Sequence, residues 1–172
     1  MRTVLFLSSV LTTLLLSGCA STAAEKTTAV NAETARPQSV FLARLQRSAA
    51  QTSELTDGSL KVAFPGITAF SHDGASISDE QQSLLNGVVE ALDNISYQKL
   101  TVVGHSDSSG QLAYNNKLSQ QRAEQVRAYL VQQGLHAERV EAQGRGPAEP
   151  VADNSTPEGR AANRRVEVLL SF

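Results

Sequence analysis

Residues Gly104–Val126 read GHSDSSGQLAYNNKLSQQRAEQV. The chain enters this stretch from an apolar, β-branched run, Gln98-Lys99-Leu100-Thr101-Val102-Val103, which reads as a strand. A polar loop carrying Asp107 follows. The spacing then predicts a helix from Asn115 to Gln133, stopped by Gly134, a residue suited to the left-handed position that ends helices. Strand, loop and helix in this order make one unit of an alternating α/β fold.

On a helical wheel of about 100° per residue with Asn115 at the origin, Leu118, Val126, Tyr129 and Leu130 lie within about 60° of it and define an inward stripe. Arg122 falls at about −20°, in the middle of that stripe. The stripe is apolar towards its carboxyl end and polar towards its amino end, where Asn115 and Arg122 stand. Core patterning does not place an arginine there. The unpaired N–H groups and dipole of a helix amino end favour an anion, and a guanidinium adds a planar fork for a carboxylate. Asp107, in the loop leading to the same helix end, supplies the opposite charge. Together they suit a zwitterion, carboxylate to Arg122 and ammonium to Asp107. The alternative is an ion pair between the two that fixes the loop.

The surrounding chain extends the alternation. Leu60, Val62 and Phe64 alternate with Ser59, Lys61 and Ala63 as a half-buried strand. Ser78 and Gln81 form a capping box before Leu84, Leu85, Val88 and Leu92 at helical spacing. Val140 and Ala142 mark a further strand, Thr156-Pro157 opens a short helix, and Val166, Val168, Leu170 and Phe172 alternate through a last strand. The fold class is an α/β (α+β) sandwich: β-α-β-α-β plus a short helix and a final strand, with helices packed on a mixed sheet. The expected folded domain is 59–172.

The amino-terminal part differs. Arg2, an apolar run from Val4 to Leu16 and small residues after it form a secretory signal over 1–18, too short for a spanning helix. Leu16-Ser17-Gly18-Cys19 resembles a bacterial lipobox, which implies acylation of Cys19 and a lipid anchor. Cys19 is the single cysteine of the chain, so no internal disulfide can form. Ala20 lacks the acidic character of an inner-membrane retention signal, which points to the outer membrane. From Ser21 to about Arg36 the chain holds Ala, Thr and Glu without large apolar residues and reads as a solvated tether. Within the 19–54 tether region, Val40, Phe41, Leu42 and Leu45 suggest an amphipathic helix over 37–54. That segment would either pack on the domain or hold a periplasmic protein partner. The formal net charge of −2, the absence of tryptophan and the lack of any basic run exclude a nucleic-acid binder.

GHSDSSGQLAYNNKLSQQRAEQVRAYLVQQGL resembles the core of the OmpA-like peptidoglycan-binding domain, with its G-H-[ST]-D, Y-N and L-S-x-x-R-A elements. The later EAQGRGPAEPVADNSTPEGRAANRRVEV, with its N-R-R-V, also resembles that family. The resemblance covers 59–172 and implies binding of the diaminopimelate of a peptidoglycan stem peptide, whose side chain ends in the zwitterion inferred above. It implies ligand roles for Asp107 and Arg122, and for Asn115 as a contact to the ligand backbone. The family's first loop corresponds to Phe70-Ser71-His72-Asp73; Asp73 keeps the last polar position, whereas Ser71 departs from the usual aspartate. The arginines of Asn163-Arg164-Arg165 are expected mainly to serve the last strand. With the lipobox, the resemblance implies an outer-membrane lipoprotein facing the periplasm.

Catalysis is not expected. His105, Ser106 and Asp107 are consecutive, whereas a triad needs its base between nucleophile and acid in space. His72, Asp73, His105, Asp107 and His136 show no metal-ligand spacing, and no cofactor is implied.

Overall fold

The computed structural model of the 172-residue chain describes residues 36–46, 48, 50–64 and 77–172. The expected signal segment, Cys19, the stretch to residue 35 and the Phe70–Asp73 loop with Asp73 lie outside the described residues.

The elements are α1 (Pro37–Leu45), β1 (Gln51–Glu54), β2 (Leu60–Ala63), α2 (Asp79–Ala91), β3 (Lys99–His105), α3 (Leu112–Gln132), β4 (Val140–Gly146), α4 (Pro157–Asn163) and β5 (Val166–Ser171). A 3-10 turn, Ala137–Arg139, leads into β4. The strands form one mixed sheet in the order β1-β2-β5-β3-β4; β3 and β4 are parallel and the other neighbours antiparallel.

Register turns the alternation of each strand into rows. Leu60, Leu170, Leu100 and Val140 stand side by side across the sheet, and Val62, Val168, Val102 and Ala142 form the next row. Phe41 and Leu45 of α1, Leu85 and Val88 of α2, and Ala123, Val126 and Leu130 of α3 join these rows in a single core. A third row holds Val166, Gly104 and Gly144. A β-carbon at Gly104 would run into the carbonyl oxygen of Ser119, and one at Gly144 into the backbone of Gln120. These two glycines let the α3 backbone approach the sheet between Asn115 and Arg122, and so set where the polar half of that helix sits.

The expected caps are present. Ser78 Oγ accepts from Gln81 N at 3.2 Å, Thr156 Oγ1 accepts from Gly159 N at 3.0 Å, and Gly134 takes φ +108° after α3. α3 starts at Leu112, earlier than the Asn115 expected, and Gln111 at its cap gives no side-chain hydrogen bond.

The segment 37–54 is not one helix. α1 ends at Leu45, and Gln51–Glu54 is a strand antiparallel to β2. The reason is the turn at Asp57-Gly58: Gly58 takes φ +81°, Asp57 Oδ1 accepts from Ser59 N at 2.9 Å, and Leu55 N donates to Ser59 O at 2.8 Å. The hairpin brings 51–54 into the sheet, so the folded part begins before residue 59.

Candidate functional site

Asp107 lies just past the carboxyl end of β3, where α3 and the loop before α4 also converge. Each oxygen of its carboxylate accepts a hydrogen bond. Oδ1 accepts from Ser109 N at 2.7 Å and Oδ2 accepts from Arg164 Nη1 at 2.7 Å. Burial pushes this carboxyl up, but the bonds from Arg164 and Ser109 outweigh it and hold the group below the usual aspartate range.

Asn115 is buried on the first turns of α3, and its Nδ2 donates to Asp107 O at 3.2 Å and Ser109 O at 2.7 Å. Both amide protons therefore hold the Asp107 loop, which leaves Oδ1 as the acceptor Asn115 can offer elsewhere.

Arg122 stands two turns further along α3 and is half-buried, as its place in the inward stripe requires. Burial lowers its pKa, and the charge of Arg164 lowers it further; Tyr114 and Asp107 act in the opposite direction. The guanidinium remains charged, and it lies within electrostatic range of both Asp107 and Arg164.

The ion pair that closes on Asp107 comes from Arg164, the first arginine of Asn163-Arg164-Arg165. The expectation that this pair mainly serves the last strand is corrected for Arg164, and the ion pair weighed for Arg122 is made by Arg164 in its place. Arg165 does serve β5: its Nε donates to Glu167 Oε1 at 2.8 Å and its Nη2 to Glu149 O at 3.1 Å. The split follows from position, because Arg164 sits at the helix end and Arg165 leads into a strand whose side chains alternate.

Asn163 sets this arrangement. It is fully buried; its Oδ1 accepts from Val151 N at 2.8 Å and Ala152 N at 3.0 Å, and its Nδ2 donates to Ala152 O and Asn154 Oδ1, both at 2.9 Å. Asn154 Oδ1 also accepts from Ser108 N at 3.1 Å. Two asparagines thus staple the loop before α4 to the loop after β3. Leu112, Tyr114 and Val151, the large apolar side chains that stand in solvent among the described residues, belong to the segments bordering this mouth.

His105 turns elsewhere. It is buried, with Nε2 3.7 Å from Glu167 Oε2, too far for a direct hydrogen bond. His105 faces Glu167 while Asp107 faces Arg164, so the consecutive His105, Ser106 and Asp107 form no relay. No cluster of three metal-capable side chains occurs among the described residues.

A buried carboxylate at a strand's carboxyl end, with Arg164 bonded to it and Arg122 within electrostatic range, makes a charged cluster beside the amino-terminal half of α3. Residues 69–164, more than half of the chain, match the model of the OmpA family. The chain belongs to that family. It is 43% identical over 110 residues to outer membrane protein A of Bordetella avium, covering 64% of this chain and 57% of the relative; it thus spans little more than half the length of that relative. The cell wall anchor of the T6SS from Pseudomonas aeruginosa superposes with a TM-score of 0.64 at 34% identity, over 79% of this chain and 96% of that one. The peptidoglycan-associated lipoprotein from Burkholderia pseudomallei superposes with a TM-score of 0.55 at 31% identity, over 60% and 87%.

Proposed function

We propose that this chain is an outer-membrane lipoprotein that binds peptidoglycan noncovalently and ties the outer membrane to the cell wall. Its ligand is the free zwitterionic end of diaminopimelate in a stem peptide, with the carboxylate on Arg122 and the ammonium on Asp107. The observation that carries this reading is the meeting of a buried, ionised Asp107 and a half-buried Arg122 at one strand end. Charged hydrogen bonds of this kind contribute roughly 1.5–3 kcal/mol each, less where water competes. Asp73 is proposed as a further contact from the first loop, and Asn115 as the residue that shapes the Asp107 loop and offers its Oδ1. The family, and relatives named for the outer membrane, the cell wall and peptidoglycan, support the ligand class. Acylation at Cys19 supplies the anchor, at about 0.8 kcal/mol per buried methylene, and the domain faces the periplasm. The mouth binds and performs no chemistry.

Sedimentation with diaminopimelate-type peptidoglycan tests the reading. Wild type pellets with the polymer, Asp107→Ala and Arg122→Ala stay largely in solution, and wall built on lysine, which lacks the side-chain carboxylate, retains wild type poorly. Pelleting of both variants at the wild-type level would refute it. A Cys19→Ala chain that still partitions with outer membranes would refute the anchor.

A regulatory role through a partner held by 37–54 has less support. Phe41 and Leu45 are in the core and Val40 and Leu42 are half-buried, so the apolar handle that reading needs is largely consumed by the fold.

A further inference from the structure

A second group of buried charges lies behind the mouth and takes no part in the function proposed above. In β3, Leu100, Val102 and Gly104 face the helices. Val103 and His105 therefore point to the opposite side of the sheet, as does Glu167 beside Val103 in β5. Glu167 is 5% accessible and His105 only 1%. Glu167 Oε1 takes Arg165 Nε at 2.8 Å and Lys61 Nζ at 3.8 Å. Its Oε2 accepts no hydrogen bond among the described residues and faces His105 Nε2 at 3.7 Å. Neither ring nitrogen of His105 has a hydrogen-bond partner among them either. A buried carboxylate oxygen and a buried imidazole thus stand face to face, each unsatisfied, a state in which buried polar groups are rarely left.

The chemistry of the two groups decides which proton joins them. Glu167 is ionised at neutral pH, and a carboxylate only accepts. A neutral imidazole carries one N–H, and only a proton on Nε2 meets Oε2. The χ2 torsion of histidine is broad, so a small turn of the ring brings Nε2 within hydrogen-bond range.

The place of this pair gives it a role. The β3–β5 register ends at Gly104 and Val166, and the β3–β4 register shifts between Gly104 and His105. Irregularities of this kind re-aim the side chains beside them. Past this point the backbone ties of β3 are His105 N donating to Arg165 O and Ser106 N donating to Gly146 O, both at 2.9 Å. Asp107 follows directly. On the other segment, Arg164 stands just ahead of Arg165 and Glu167. The His105–Glu167 contact therefore joins, from behind, the same two segments that the Asp107–Arg164 ion pair joins at the mouth.

We infer that His105 is a positioning residue for Asp107: protonated on Nε2, it donates to Glu167 Oε2 and fixes the angle at which β3 delivers Asp107 to the mouth. His105 itself touches no ligand. The inference rests on the reading of Asp107 as a binding group and adds the part that holds that group in place.

The mature chain, residues 19–172 with Cys19→Ser, is labelled with nitrogen-15 at histidine, and its imidazoles are read by long-range proton–nitrogen correlation near neutral pH. His105, identified by the signal that disappears in His105→Gln, shows a neutral ring with its proton on Nε2. A proton on Nδ1, or on both nitrogens, overturns the proposal whatever the variants do. Binding to diaminopimelate-type peptidoglycan is then measured by sedimentation. His105→Leu, which has no donor, binds about tenfold more weakly, the range of one charged hydrogen bond. His105→Gln, whose side-chain amide still offers an N–H to Glu167, binds close to wild type. In an Asp107→Ala background His105→Leu brings no further loss, because the two act as one unit. His105→Leu binding like wild type, His105→Gln as weak as His105→Leu, or losses that add to that of Asp107→Ala would each overturn the proposal. Failure of the underlying site reading has a different signature, namely an Asp107→Ala chain that by itself binds like wild type.

Discussion

Glu167 shows how single side chains set the acid limit of this domain. Burial pushes its carboxyl up, yet the interactions with His105 and Arg165 outweigh that and lower it from the ordinary 4.5 to about 2. Arg165 is the firmer of the two partners, at 2.8 Å against 3.7 Å for His105. A depressed folded-state pKa stabilises the fold above the unfolded value and loses that stabilisation as pH falls through the folded one. Glu167→Gln should therefore cost most near neutrality, and the gap from wild type in urea denaturation should close as pH falls from about 4.5 towards 2. A gap that stays constant over that window would show that the ion pair is not the cause. At the mouth, the sequence marks Arg122 as a cation in an apolar stripe and sets Asp107 in the polar loop that leads to the same helix end. It does not mark Arg164, because its bond to Asp107 spans 57 residues and nothing local requires it. Asn163 was hidden for the same reason, since a buried asparagine with four hydrogen bonds looks, in sequence, like any helix-end asparagine.

Among the elements, α3 depends on the two glycines beneath it. Gly104→Ala forces a methyl against the Ser119 carbonyl, and neither backbone is a flexible side chain that can give way. We expect a loss of about 2–3 kcal/mol by urea denaturation, at the upper end of overpacking costs. We also expect weaker peptidoglycan sedimentation, because Asn115 and Arg122 move with the helix. An unchanged unfolding midpoint would mean that α3 is not held by this close approach. Elements with strong period and caps, α2, α3 and β5, could be read directly from the chain. β1 could not: Gln51-Thr52-Ser53-Glu54 is wholly exposed and polar and carries no alternation. Its one signal is Asp57-Gly58 in the turn that follows, which marks a hairpin only once β2 is taken as its partner. The early start of α3 was hidden because Leu112 and Tyr114 are exposed and add nothing to the inward stripe.

At the scale of the molecule, one core runs from α1 to the last residue. Phe41 is fully buried and meets the Phe172 ring at 5.8 Å, so the first helix and the chain's end close on each other. Phe41→Ala should cost about 3–5 kcal/mol, read as a lower urea midpoint with little change in slope; a variant as stable as wild type would place α1 outside the cooperative unit. The two ends of the sheet are finished differently. Along β4, Arg127 Nε donates to Val140 O at 2.6 Å, Gln120 Oε1 accepts from Gly144 N at 2.6 Å, and Ser119 Oγ accepts from Gly146 N at 2.9 Å. Side chains of α3 thus occupy several of the backbone groups a further strand would need. The opposite border is four residues long, hydrophilic, and ends in a carboxylate at Glu54. Copies crowded along a polymer meet each other far more often than they would in dilute solution, and bare strand borders are where such neighbours fuse. With α3 side chains along one border and the other short and charged, neither border favours strand pairing between copies.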